Sequence, residues 1–365
     1  MRNIMNNPIA LRYAAILGAS LCMAGSSPPS AAPESASTDY SLVTPESAHP
    51  GELPTWQIPN LPESAEAYYG PDSYHVIAQT QDPDAVRPSH ERAAGGALTW
   101  ITTDDGKAKW RINDRGQDAC SYFWPDGKQV VYTSTRDNLD MPVGNWSSES
   151  EYPQGAELYL ADIDGSNVRR LTNNDVYDAE VSVSPNGERI VFTRQIDGKL
   201  DVWVMNADGS GQRQVTHTDE WQEGAPFFLP DNKTITTRAW KRSEYGKIHP
   251  TPMTIFTVDT DSGEITPRTS DGWMNWAPYP APDGRHYVFV RPLLDNPKNW
   301  EVFLGDLEGG DPVRLTFFEG FDGFPSVSPD GTKMLFTRST GSGFMSDLYT
   351  FVMDISSLNV GPEGS

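Results

Sequence analysis

The chain has 365 residues, and its 50 Asp and Glu against 28 Lys and Arg give a formal net charge of −22. So acidic a surface disfavours nucleic-acid backbones and anionic membranes as partners, because like charges repel. The two cysteines, Cys22 and Cys120, are too few for a disulfide framework, so we expect stability to come from packing. The length fits one large domain or two ordinary ones, and internal repeats must decide between them.

The first 24 residues have the pattern of an export signal. Arg2 gives a weakly positive start, and a short apolar run from Tyr13 to Ala24 is followed by small residues. The run is shorter than the roughly 20 apolar residues that cross a bilayer, so we predict a signal peptide at 1–24 and no transmembrane segment. Its removal would take away two arginines and no acid, leaving a net charge of −24.

Two further features of the N-terminal region bear on localisation. Leu21 is bulkier than the small residue that usually precedes a lipidated cysteine, so we do not expect a lipid anchor at Cys22. Residues 25–50 are rich in Ser, Pro and Ala and predict a disordered linker. The expected location is therefore the periplasm or the extracellular space.

One short motif recurs along the rest of the chain. Each copy is a polar or acidic residue, a short apolar run, a proline and an Asp-Gly type of turn, and the prolines of the six copies are Pro71, Pro125, Pro185, Pro230, Pro282 and Pro329. Every copy leads into a β-rich run such as Glu188–Thr193, because Val, Ile, Tyr and Phe between turn residues are typical of half-buried strands. A third strand, a second tight turn such as Asp208-Gly209 and a closing Leu-Thr or Val-Thr follow.

Six units of four strands, spaced by 45 to 60 residues, predict an all-β fold. We expect a six-bladed β-propeller over residues 51–358, followed by a disordered tail at 359–365. The last copy supplies only three strands, the third being Leu348–Asp354. A propeller leaves no exposed strand edge only if its ring closes. We therefore expect an N-terminal strand near Leu53–Ile58 to complete the last blade.

These repeats resemble the TolB-type (WD40-like, PD40) propeller repeats of bacterial envelope proteins, as in Phe321–Gly331, which reads FDGFPSVSPDG. The resemblance covers about residues 60–355. It is to the propeller alone, since too few residues precede Pro71 for the α/β domain that TolB carries. It implies an envelope-associated scaffold, although the same repeat also occurs in peptidase and lyase propellers.

The first strand of a blade lines the central channel, so the start of each repeat should face one mouth. The residues seven positions before the six prolines are mostly acidic or polar: Ser64, Asp118, Asp178, Glu223, Asn275 and Asp322. The ends of the second strands carry Arg194, Arg238, Arg291 and Arg338, and two tryptophans, Trp221 and Trp273, precede inner strands. Long loops between second and third strands should open on the same face, where function is usually found.

Two interpretations of this predicted ring stay open. The acids and arginines either form ion pairs between neighbouring blades that fix blade geometry, or they make a charged mouth that binds a peptide or a cation. All five acidic or amide positions from Asp118 to Asp322, the four arginines and the two tryptophans are accordingly the candidate binding residues.

The catalytic and metal searches give little. No Gly-x-Ser-x-Gly motif is present, and the six histidines are scattered. We predict no catalytic residue, metal or cofactor, and a scaffold that binds a protein or peptide partner in the cell envelope. The alternative is a carbohydrate-active propeller, either a glycan binder or a metal-dependent oligosaccharide lyase that would gather His90, His217 and His249 in the channel.

Overall fold

The computed structural model describes residues 49–85, 96–142, 144–146, 148 and 150–362. Within these ranges the chain folds into four-stranded antiparallel sheets, six in number. The innermost strand of each sheet contacts that of the next, and the last contacts the first, so the sheets are the blades of a closed ring. The predicted all-β six-bladed propeller is confirmed.

The strands run from the axis outward in each blade. The first blade has β2 (Ser64–Tyr69), β3 (His75–Asp82), β4 (Gly96–Thr103) and β5 (Lys109–Arg111). The second has β6 (Asp118–Phe123), β7 (Gln129–Ser134), β8 (Glu157–Asp162) and β9 (Arg169–Arg170). The third has β10 (Tyr177–Val183), β11 (Arg189–Ile196), β12 (Lys199–Asn206) and β13 (Arg213–Gln214).

The second half of the ring repeats this order. The fourth blade has β14 (Trp221–Phe228), β15 (Thr234–Lys241), β16 (Thr254–Asp259) and β17 (Ile265–Pro267). The fifth has β18 (Trp276–Pro280), β19 (His286–Pro292), β20 (Trp300–Asp306) and β21 (Val313–Arg314). The sixth has β22 (Asp322–Val327), β23 (Lys333–Ser339) and β24 (Leu348–Asp354), and β1 (Thr55–Gln57) completes it.

The ring closes through the N-terminal strand, as predicted. β1 pairs antiparallel with β24, with Thr55 opposite Met353 and Gln57 opposite Phe351. The edge of the last blade is thereby covered by a strand that comes from the other end of the chain. This pairing locks the ring, because opening it would expose a row of unpaired backbone groups.

The packing extends past the predicted end of the propeller. A 3₁₀ turn at Ser356–Leu358 is followed by Val360, which is fully buried in the core cluster that includes Val288 and Met334. Gly331, at φ 71°, leaves no room for a side chain there, since a Cβ would lie 2.3 Å from the Cα of Gly361. Within the tail predicted at residues 359–365, Val360 therefore fills a core position of the propeller.

The cores lie between blades, and this explains why the second strands are apolar on both faces. Val131 and Leu158 of the second blade pack against Ile190 and Phe192 of the third. The closing threonine of four blades, which follows Leu or Val in three of them and Arg268 in the fourth, also has a fixed role. The threonine hydroxyl accepts a hydrogen bond from a backbone N–H near the start of the third strand at 2.9–3.0 Å, in the pairs Thr172–Leu158, Thr216–Val202, Thr269–Ile255 and Thr316–Val302.

No helix of the described residues is long and apolar enough to cross a membrane.

Candidate functional site

The inner strand of every blade contains a β-bulge. The pairing of inner and second strands shifts register at the same place in all six blades, where the inner strand carries one extra residue. The residues at this place have φ between 39° and 53°, and none of them is glycine: Glu66, Cys120, Glu180, Ala225, Ala277 and Phe324. A non-glycine residue in this region costs about 1–2 kcal/mol, so the bulges carry strain that the packed ring must hold.

These six residues, called here the bulge ring, stand five positions before the six prolines. All six side chains are partly exposed, whereas most of their neighbours along the inner strands are buried. All six line one cavity of about 370 Å³. The bulge thus directs one side chain per blade toward the axis.

The channel is closed halfway along the axis by an aromatic plug made of Tyr68, Tyr122, Phe227 and Tyr279. Their ring centroids lie 4.9–6.2 Å apart, and the hydroxyls of Tyr122 and Tyr279 are 2.9 Å apart. Tyr68 and Phe227 face the cavity, while Tyr122 and Tyr279 face the opposite mouth. In the described part of the chain, the plug therefore separates the two mouths of the propeller.

The walls of the cavity are mainly aromatic and sulfur-containing. Four tryptophans take part, Trp146, Trp240, Trp276 and Trp300, with three methionines, Met253, Met274 and Met345. Four aromatic residues of the wall lie in loops between second and third strands: Trp146, Tyr152, Tyr245 and Phe344. The cavity therefore opens on the face that carries the long loops. Rigid aromatic rings around a concave space of this size are typical of ligand sites.

The floor of the cavity holds two carboxylates with different partners. Glu180 accepts hydrogen bonds from Arg238 Nη2 at 2.8 Å and from the Ala225 N–H at 2.8 Å, both on the next blade. Among the described residues, Glu66 accepts only from the next blade's Cys120, whose N–H and Sγ lie 3.2 and 3.3 Å from Oε2. Burial raises the pKa of Glu66 and, with the nearby carboxylates, that of the Cys120 thiol.

The residues predicted seven positions before the prolines lie elsewhere. Five of them are buried at the start of the inner strands and do not line the cavity: Asp118, Asp178, Glu223, Asn275 and Asp322. The bulge accounts for the difference, because its extra residue changes which side chains turn toward the axis. Their predicted part in binding stays a prediction that this placement does not support.

The predicted ion pairs between blades form within blades instead. Asp178 and Arg194 are cross-strand neighbours joined by two hydrogen bonds of 2.6 Å, and Asp322 pairs with Arg338 in the same way at 2.7–2.8 Å. Asn275 accepts from Arg291 in the fifth blade. In these blades the acid or amide faces its own second strand, because antiparallel register places the two positions opposite each other.

Arg238 is the exception among the arginines. It reaches from the fourth blade to Glu180 of the third, so it makes an inter-blade pair, but with an acid that the repeat pattern did not single out. It is also the one candidate binding residue from the sequence that lines the cavity within the described chain.

Two buried acids without an arginine partner are held by neutral groups. Asp118 accepts from the Thr99 N–H of the neighbouring blade and from Asn113, and Glu223 accepts from Thr218. Burial raises the pKa of Asp118 to about 6 and that of Glu223 to about 8.

The two predicted tryptophans, and the two predicted histidines that the structure describes, do not line the cavity. Trp221 packs edge-on against Phe256, and Trp273 donates its indole N–H to the Pro292 carbonyl at 2.9 Å. His217 and His249 are exposed, and His90 lies outside the described residues. No cluster of three metal-ligating side chains occurs in the described part of the chain.

The residues that the sequence interpretation missed are the bulge ring and the wall tryptophans. Glu66 and Glu180 both stand five residues before a repeat proline, and this shared acid was a usable signal. Trp276 and Trp300 carry no comparable signal, because a tryptophan that begins a strand is as often part of the core.

Comparisons with known proteins agree with this architecture. No family model matches the chain. An uncharacterized protein of Agrobacterium fabrum is 26% identical over 296 residues, which are 78% of this chain and 86% of that protein. The Tol-Pal system protein TolB of Anaeromyxobacter dehalogenans is 30% identical over 142 residues, 38% of this chain and 29% of TolB.

Similarity also extends to solved structures. The crystal structure of TolB from Acinetobacter baumannii matches with a TM-score of 0.55 and 17% identity, over 83% of this chain and 65% of that one. The chain thus spans less than two thirds of each of these two TolB chains. It is a six-bladed β-propeller whose repeats and fold are similar to those of TolB.

Proposed function

We propose that this chain is an exported, non-catalytic scaffold whose aromatic cavity binds a segment of a protein or peptide partner in the cell envelope. The cavity itself is the observation that carries the proposal. It has a closed floor, aromatic walls and strained bulge residues whose side chains point toward the axis. The prolines of the six repeats and the buried acids at the start of the inner strands instead stabilise the ring. Its volume of about 370 Å³ suits one or two side chains of a peptide.

Apolar side chains around the cavity support a macromolecular partner. Ile248, Leu294 and Phe318 are 45%, 74% and 36% exposed, and all three lie in loops on the cavity face. Exposed apolar groups on the face that carries a concave aromatic site are typical of protein-binding surfaces. Two observations support an envelope location. One is the export pattern at residues 1–24, which lie outside the described part of the chain, and the other is the similarity to TolB.

Site-specific cross-linking tests the proposal. A photo-reactive phenylalanine analogue at Phe344, on the cavity wall, should cross-link to a discrete protein in envelope extract. The same analogue at Trp124, on the opposite mouth, is the matched control and should not. Equal labelling from both positions, or none from Phe344, would contradict partner binding in the cavity.

The alternative of a glycan binder rests on the four tryptophans of the wall, whose faces can stack on sugar rings. Titration of tryptophan fluorescence with oligosaccharides separates the two possibilities. A saturable change with a sugar and no protein cross-link from Phe344 would replace the peptide scaffold by a glycan-binding propeller.

A further inference from the structure

The cavity floor carries an unbalanced negative charge. The charged residues that line the cavity in the described chain are Glu66, Glu180 and Arg238. Arg238 is committed to Glu180 through an ion pair of 2.8 Å in which both side chains are largely buried. With both acids ionised, the floor therefore holds one negative charge that no lining cation balances.

Glu66 is the group that carries this charge. Both hydrogen bonds it accepts come from Cys120 and end on Oε2, so Oε1 accepts none from the described residues. No lysine, arginine or histidine of the described chain forms an ion pair with it. Its side chain lies below the rim of the cavity but remains partly exposed to the cavity space, so a guest can reach it.

The walls above Glu66 favour an organic cation over a neutral guest. Tryptophan and tyrosine faces attract a positive charge through the ring quadrupole, and they also accept the apolar stem of a long side chain. A strongly hydrated metal ion would find few oxygen ligands here, since the walls are aromatic and methionine-rich. The arrangement fits one positive charge at the end of an apolar chain.

We propose that the cavity selects a partner segment that presents a lysine or arginine side chain, whose head group pairs with Glu66. This inference rests on the proposed peptide-binding function and names the chemistry of the segment. Such a pair brings more specificity than affinity, because desolvation of the two charges offsets much of their attraction. A neutral side chain in the same place would leave Glu66 to be buried as a lone charge or to take up a proton.

Binding of a cation should depend on pH. Burial raises the pKa of Glu66, and the groups that face it are Cys120, Glu180, Arg238 and Tyr68. Glu66 must be ionised to pair, so the preference for a cationic guest should grow as pH rises through its pKa and fade below it. Substitution by glutamine should abolish this dependence.

The probes are two N-acetylated, amidated tripeptides, Phe-Lys-Phe and its neutral isostere Phe-norleucine-Phe, followed by tryptophan fluorescence at pH 8. We expect the lysine peptide to bind at least about tenfold more tightly to the wild-type chain. Glu66→Gln should remove the preference, whereas Glu188→Gln, an exposed acid on a turn of the third blade, should keep it.

The outcomes separate this inference from the function on which it rests. Equal binding of the two peptides overturns the cation preference and leaves peptide binding in place. Binding of neither peptide overturns both. If Glu66→Gln fails to fold, the pH dependence of the wild-type chain provides the test. A preference for the lysine peptide that stays constant from pH 8 to pH 4 would overturn the role of Glu66.

Discussion

The two mouths of the propeller are built from the same six repeats but differ in how uniform they are. The mouth opposite the cavity is ringed by the six key prolines, with the plug beneath them, around a space of about 400 Å³. The cavity at the other end is lined by the bulge residues, which are of four different types, and its face carries loops of unequal length. One end therefore repeats the same residue six times, and the other varies its residues on a repeated backbone.

This difference separates scaffold from site. A proline before each hairpin turn restricts the backbone there. The structure of the mouth opposite the cavity is therefore set by the repeats that build the ring. At the bulges the backbone geometry repeats while the side chains differ, so chemistry is free to vary from blade to blade. The acids at the start of the inner strands group with the scaffold, because they are buried and their hydrogen bonds go to groups of their own or the neighbouring blade.

The strongest test of this division is Asp178→Ala. Arg194 would lose both of its hydrogen bonds to the carboxylate and keep only Gln212 at 3.0 Å, so we expect unfolding to become easier by about 3–5 kcal/mol. Urea denaturation measures the loss, and peptide binding to the folded fraction should be unchanged. Asp219→Ala removes an exposed ion pair with Lys199 and should leave stability as it is. Loss of binding without loss of stability would move Asp178 from scaffold to site.

A pH-dependent effect is expected next from Glu223→Gln. The pKa of Glu223 rises from an ordinary 4.5 to about 8 in the folded chain because of burial, so the unfolded chain ionises first as pH increases. The stability that the protonated acid contributes is full below about pH 4.5 and is lost as pH rises through about 8. The melting temperature of Glu223→Gln relative to wild type should therefore rise between pH 5 and pH 9. A constant difference, like that expected for the exposed Glu188→Gln, would contradict the raised pKa.

The smallest effect is expected from Ala225→Gly at a bulge. Glycine adopts a φ of 51° without the steric cost of a Cβ, and its N–H still donates to Glu180, so the chain should become more stable by up to about 1 kcal/mol. Ala239→Gly, in a regularly paired part of the second strand of the same blade, is the control and should destabilise. Equal destabilisation by both would show that the bulge stores no strain.

The fold was accessible from the sequence and much of the site was not. Turn chemistry at Asp208-Gly209 and the alternation of apolar residues are local signals, and they led to the correct blade number and to the closure at Thr55–Gln57. The cavity residues depend on the bulge, and a bulge has no clear local signal when its left-handed residue is Glu180 or Ala277 instead of glycine. Counting along a regular strand therefore led to Asp178, two residues away from the side chain that faces the axis.

By itself, the sequence determined the number of blades, the acidic surface and the chain end that closes the ring, because repeats, composition and strand patterns are properties of neighbouring residues. Only the tertiary structure decided which side chains meet at the axis. Glu66 and Cys120 are 54 positions apart, and Glu180 and Arg238 are 58 apart. They come together because six bulged strands converge on one axis, where each blade supplies one side chain from its bulge.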